Sequence, residues 1–117
     1  MKIGQIVFGL FVFGIVGLFP PMSFAEDELY KLTIKDHRFS PQELVIPAGK
    51  KVKVLIENQD SAAEEFESYE LNREKVVGGN GKATLFVGPL KPGSYKFFGD
   101  FHKDTAQGVV KVEEGKG

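Results

Sequence analysis

Two short stretches carry residue types that bind metal ions. Glu65-Phe66-Glu67 sets two carboxylates at i and i+2, and Asp100-Phe101-His102 sets a carboxylate and an imidazole at the same spacing. Side chains two apart on an extended chain share a face. Each stretch would therefore present a pair of donors on one side and turn its phenylalanine to the other. The sequence contains no cysteine. Oxygen and nitrogen donors without sulfur suit Fe(III), Cu(II), Mn(II) or Zn(II) better than Cu(I). Three further residues are candidates for the same ligand set: Glu64, His37 and Asp104.

Each candidate also has a plainer reading. Glu64, Glu65, Glu67 and Glu70 fit a solvated acidic face, which is what a run of like charges usually forms. His102 fits a hydrogen-bonded surface histidine. His37, in Lys35-Asp36-His37-Arg38, fits a loop residue, and Arg38 beside it disfavours a cation. Asp104 fits a cap on the turn toward Gly108. No Ser/His/Asp grouping or nucleophile motif stands out, so no residue is assigned a catalytic role. Gly78-Gly79-Asn80-Gly81 follows no strand-to-helix signal and reads as a turn rather than a phosphate loop.

The elements that must hold these residues read as strands. Residues 29–35 alternate apolar and polar after the first position, and Val52, Val54 and Ile56 fall on one face of residues 50–57. Residues 43–46, 83–87, 94–98 and 108–112 are short apolar or alternating runs. Pro47-Ala48-Gly49, Asn58-Gln59-Asp60-Ser61 and Pro89-Leu90-Lys91-Pro92-Gly93 supply turn chemistry between them. Only residues 61–75 break the pattern, where Ala62-Ala63-Glu64-Glu65 could form a helical turn. Seven or so short strands between Gly/Pro turns predict an antiparallel sandwich. Its interior is expected to hold Leu32, Ile34, Val54, Ile56, Phe66, Leu85, Tyr95, Phe97 and Val110.

The first residues read as an export signal. Lys2 precedes an unbroken apolar run over residues 6–19, Pro20-Pro21 ends it, and Ser23-Phe24-Ala25 offers small residues at the two positions a signal peptidase reads. The run falls short of the ~20 residues that span a bilayer, so cleavage after Ala25 is favoured over a membrane anchor. Residues 1–25 are then a signal peptide and residues 26–117 one exported domain, periplasmic or otherwise secreted. The sequence has 15 Lys+Arg and 16 Asp+Glu. Lys2 leaves with the signal and every acid lies after it, so the mature charge is 14 − 16 = −2. That balance argues against nucleic acid or an anionic membrane as partner.

Five pieces in order resemble one family. They are FSPQELVIPAGKKV (39–52), ENQDS (57–61), EEFES (64–68), VGPLKPGSYKFFGDFH (87–102) and TAQGVVKV (105–112). Together they resemble the cupredoxin-like domains, most closely the EfeO-type branch, and imply an all-β, two-sheet antiparallel Greek-key sandwich. In blue-copper members the metal is held by a histidine, a cysteine, a second histidine and usually a methionine. Laid on this chain, those positions fall at or beside Glu64, on Gly99, on His102 and on Ala106. Without a thiolate a blue-copper centre cannot form. The fold brings the two donor stretches toward one end of the sandwich, so Glu65, Glu67, Asp100 and His102 become the expected metal ligands, with Glu64, His37 and Asp104 in reserve. EfeO-type domains occur in periplasmic iron-uptake systems, and stand-alone relatives accompany some ferrous-iron permeases. The resemblance thus implies a protein that binds an iron or copper ion, partnered by a membrane iron permease or a periplasmic iron-binding protein. Two rivals stand beside that reading: a ferroxidase, if bound copper oxidises Fe(II), and a metal-free interaction module.

Overall fold

Alternation is the rule that builds this molecule. The structure, a computed structural model, describes residues 29–115. The proposed signal segment lies outside the described residues. Nine strands follow one another: β1 (Leu29–Lys35), β2 (Arg38–Ser40), β3 (Glu43–Pro47), β4 (Val52–Asn58), β5 (Glu64–Ser68), β6 (Arg73–Val77), β7 (Lys82–Val87), β8 (Gly93–Gly99) and β9 (Gln107–Glu113). They form a four-stranded sheet in the order β2-β1-β4-β7 and a five-stranded sheet in the order β3-β9-β8-β5-β6. Along β4, Val52, Val54, Ile56 and Asn58 are buried while the residues between them are not. Such inward rows from both sheets meet as the core of a sandwich.

All nine residues expected inside contribute to the core, with Tyr95 packed against it and only partly buried. Phe39, Phe66 and Phe97, from β2, β5 and β8, form an aromatic cluster. Phe66 and Phe97 stack at 5.0 Å, and Phe39 meets Phe97 edge-on at 4.9 Å. Edge-to-face and offset contacts of this kind add to the burial itself.

The pairing departs from a purely antiparallel sandwich in two places. β1 runs parallel to β4, and β3 runs parallel to β9. Parallel neighbours require a crossover, and here the chain crosses to the other sheet before returning. Residues 64–68, where a helical turn was conceivable, are strand β5. β6, with four of its five residues exposed, pairs with β5 at the edge of the sheet. Its Arg-Glu-Lys opening has no apolar alternation, so only the hairpin partner makes it a strand.

Candidate metal centre

The site begins with the pleat of β5. Alternation turns Glu64, Phe66 and Ser68 inward and Glu65 and Glu67 outward. Glu64 is thereby buried to 1% exposure at the mouth of the core. Its carboxylate is fully used. Oε1 accepts hydrogen bonds from the backbone N–H groups of Glu65 (3.0 Å) and Phe101 (2.9 Å), and Oε2 lies 2.6 Å from Nδ1 of His102. A carboxylate accepts and does not donate, so Nδ1 of His102 carries the proton in this contact. Nε2 is then the free nitrogen of the ring. It has no hydrogen-bond partner within the described residues, and no buried side-chain nitrogen or oxygen there is unsatisfied, so Nε2 is open to solvent. A histidine whose second nitrogen is fixed by a carboxylate is the usual arrangement of a metal ligand.

His102 rides on the β8–β9 connection, a tight loop closed by its own backbone. The Gly99 N–H donates to the Ala106 carbonyl, and the N–H groups of Thr105 and Ala106 donate to the His102 carbonyl. Gly99 has no room for a side chain. A Cβ there would fall 2.6 Å from Glu64 Cδ and 2.7 Å from Ala106 Cβ. The loop can close over Glu64 only because glycine stands at that position.

A second imidazole meets the first. His37 stacks on His102 with ring centroids 3.7 Å apart and planes 18° from parallel. It sits on the two-residue β1–β2 hairpin turn, where Asp36 and His37 have φ of 54° and 59°. Two successive positive-φ residues match the twist of a type I′ hairpin, and Asp and His tolerate that region better than most side chains. The strain is countered from outside. Asp60 accepts the N–H groups of Asp36 (2.8 Å) and His37 (2.9 Å), and Thr105 Oγ1 donates to the His37 carbonyl at 2.6 Å. The first of these bonds to His37 is the main cause holding the Asp60 carboxyl below its ordinary range. Asp60 Oδ2 also lies 3.7 Å from His37 Nδ1, an ion-pair separation rather than a hydrogen bond.

Asp60 is itself held by the Asn-Gln-Asp-Ser loop. Asn58, buried at the end of β4, donates to the carbonyls of Ala62, Val77 and Gly78 and accepts the Asp60 N–H. The Asp60 carbonyl accepts from Asn80. Gly79 passes so near Ser61 that a Cβ would sit 1.9 Å from its carbonyl oxygen. The glycine-rich turn is thus the buttress of the loop that braces His37.

The structure divides the expected ligands into two groups. His102 turns inward to Glu64. Glu65 and Glu67 face outward, where they gather with Glu74 of β6, one carboxylate oxygen from each lying within 4.8 Å of the others. Glu67 and Glu74 are direct cross-strand partners. Partial burial pushes the Glu65 and Glu67 carboxyls above their ordinary range, and the Glu74 charge adds to the rise. Asp100 stays with this outer group. Its N–H donates to the Glu65 carbonyl, its charge raises both glutamates further, and its carboxylate reaches Lys103 at 3.4 Å. Among the described residues, no three of Glu65, Glu67, Asp100 and His102 bring ligand atoms within that 4.8 Å span. Asp104 is exposed, and the loop is closed by backbone bonds rather than by its carboxylate.

Three residues of the site went unnoticed in the sequence: Asp60, Thr105 and Glu74. Asp60 had a readable signal, since Asn and Asp side chains in a loop commonly accept turn N–H groups. Thr105 and Glu74 had none, because their roles depend on which strands lie side by side.

The model of the cupredoxin-like domain family matches residues 8–112. The uncharacterized protein RP394 of Rickettsia prowazekii (strain Madrid E) is 48% identical over 84 residues, which span 72% of this chain and 67% of that protein. Among solved structures, auracyanin A, a blue copper protein from Chloroflexus aurantiacus, superposes with a TM-score of 0.62 at 13% identity, covering 74% of this chain and 98% of that one. Amicyanin from Paracoccus versutus gives a TM-score of 0.57 at 17% identity, over 74% and 82% of the two chains. At these identities the likeness is one of fold.

The residues present do not fit a blue-copper centre. Glu64, Gly99, His102 and Ala106 do converge at one point. Yet no thiolate is available, and the Glu64 carboxyl fills the space a side chain on Gly99 would enter. The match over most of the sequence, the two-sheet topology and the shared architecture lead to one statement of kinship: the chain belongs to the cupredoxin-like domain family.

Proposed function

We propose that this protein binds a transition-metal ion through His102 at the loop end of the sandwich, as an accessory of iron uptake outside the cytoplasm. The observation that carries the reading is the 2.6 Å contact between His102 Nδ1 and the buried Glu64 carboxylate. It fixes the ring, raises its basicity as a ligand and leaves Nε2 open. Nitrogen and oxygen donors without sulfur suit Cu(II), Fe(III), Mn(II) or Zn(II) better than Cu(I). The place in iron uptake is supported by the EfeO-type wording of the five sequence pieces and by the export signal read in residues 1–25. The partner in this reading is a membrane iron permease or a periplasmic iron-binding protein.

The test is a pair of calorimetric titrations of the protein with Cu(II) and with Fe(III), repeated on H102A. Binding by the parent tighter than about 0.1 mM, or roughly −5.5 kcal/mol, with a clear loss in H102A, is the expected result. Absence of binding for both ions overturns the reading and leaves a cupredoxin-fold interaction module. The surface favouring that second role is Phe101, half exposed beside His102.

A further inference from the structure

A second imidazole lies against the His102 ring. His37 lies far from His102 in sequence, and none of the four blue-copper ligand positions falls on the β1–β2 turn. Yet three hydrogen bonds fix its turn, and its ring lies against the first. Asp60 accepts the N–H groups of Asp36 and His37, Thr105 Oγ1 donates to the His37 carbonyl, and the His37 ring stacks on His102 at 3.7 Å. A histidine that merely filled a type I′ turn would need no such registration, since Asn or Gly serves there at less strain.

We infer that His37 is the second protein ligand of the metal site, so that the ion taken up is one that prefers paired imidazoles, Cu(II) before Fe(III). This rests on the proposed function, since it presumes that His102 binds metal. Each ring has a carboxylate on its Nδ1 side, but only one is tied to it. Glu64 is hydrogen-bonded to Nδ1 of His102, whereas Asp60 stands 3.7 Å from Nδ1 of His37, too far for a hydrogen bond. Nε2 is the nitrogen left free on His102, and His37 keeps the freedom to turn a nitrogen toward the same ion. Metal–imidazole bonds of about 2.0–2.1 Å set two nitrogens on one ion about 3–4 Å apart, and rings whose centroids lie 3.7 Å apart are near enough for a ring movement to bring two nitrogens to that spacing. Parallel planes do not point two lone pairs at one ion, so one ring must tilt. His37 can do so: its side chain is 44% exposed and no hydrogen bond holds its ring, whereas the His102 ring is tied to Glu64. Imidazole nitrogen suits Cu(II), whereas the carboxylates that would favour Fe(III) lie in the separate outer group of Glu65, Glu67 and Glu74. Two protein ligands leave the other positions of the ion to water or to a partner. An ion so held can be passed on.

The experiment loads the protein with one equivalent of Cu(II) and reads both affinity and the nitrogen couplings in electron paramagnetic resonance. The variants are H37N, whose Asn tolerates the positive φ, H37G as a second turn-compatible change, and H102A. The parent should show two imidazole nitrogens. H37N and H37G should show one, with Cu(II) affinity down at least about tenfold and Fe(III) affinity little changed. Two imidazole couplings retained in H37N, or a single coupling in the parent, overturns the inference while leaving His102 as a ligand. Cu(II) bound unchanged by H102A, or not bound by the parent, overturns the proposed function as well. Unfolding midpoints of metal-free H37N and H37G separate a lost ligand from a disordered turn, because a turn defect would lower the midpoint of at least one, whereas a ligand loss leaves neither below the parent value.

Discussion

Glu64 and Glu65 are neighbours in sequence with opposite fates. Glu64 points into the sandwich and is ringed by three donors: two backbone N–H groups and an imidazole. Glu65 points outward, where Glu67, Glu74 and Asp100 add like charges around it. One strand therefore carries a satisfied carboxylate on its inner face and a self-repelling group on its outer face. Burial alone does not decide whether a charge is costly. What decides is whether donors are fixed around it before it arrives. The inner carboxylate can position a histidine because its own hydrogen bonds leave it no freedom, while among the described residues the one cation that pairs with the outer group, Lys103, reaches Asp100 and not the glutamates.

The contrast is broken most severely at Glu64. Alanine there would strand two backbone N–H groups and one imidazole N–H. These donors are only partly buried, so at the low end of the about 1–3 kcal/mol for each unpaired donor, E64A should cost about 3 kcal/mol, read by urea denaturation. An E65A variant should cost almost nothing in the same assay. Next comes Gly99. G99A would push a methyl group into Glu64 and Ala106 and should cost about 1–3 kcal/mol as overpacking. It should also disturb His102, visible as a shifted imidazole resonance.

Asp60 and the outer glutamates Glu65 and Glu67 should respond to pH with opposite signs. The Asp60 carboxyl is lowered in the fold, chiefly by the His37 N–H, so its contribution is present above its ordinary value of 3.8 and is lost as pH falls through the lowered folded value. D60N should remove that acid dependence and cost about 1 kcal/mol at neutral pH. Glu65 and Glu67 are raised, chiefly by partial burial and then by Glu74, from an ordinary value of 4.5. Their contribution is full below that ordinary value and is lost as pH rises through the raised ones. E74Q should therefore raise the unfolding midpoint slightly at neutral pH and leave it unchanged in acid, the smallest effect of the series.

The sequence told more about the sandwich than about its mouth. Period-2 alternation in residues 29–35 and 50–57 is a local property, and it placed Leu32, Ile34, Val54 and Ile56 in the core. The i, i+2 rule also placed Glu65 and Glu67 on one face of β5 with Phe66 opposite. What alternation cannot supply is the phase of one segment against another. Asp100 and His102 share that same spacing, but they stand in a loop rather than a strand. The loop turns between them and sends Asp100 to the outer face and His102 to the inner one. The pairing of His37 with His102 is a contact across 65 residues, created by two turns meeting at one end of the fold, and no local signal encodes it. β6 was equally silent, since its exposed charged residues become a strand only through hydrogen bonds to β5.

In the proposed site Glu64 holds His102 with its proton on Nδ1 and Nε2 free to take a metal ion. Long-range proton–nitrogen correlation spectra of the imidazoles test it directly. They are best recorded at a pH of about 8, where an ordinary imidazole is neutral, before and after addition of diamagnetic Zn(II). The free protein should show a protonated Nδ1 and a bare Nε2 on His102, and zinc should cause a large shift confined to Nε2. A proton on Nε2, or a His102 spectrum indifferent to zinc, would contradict it.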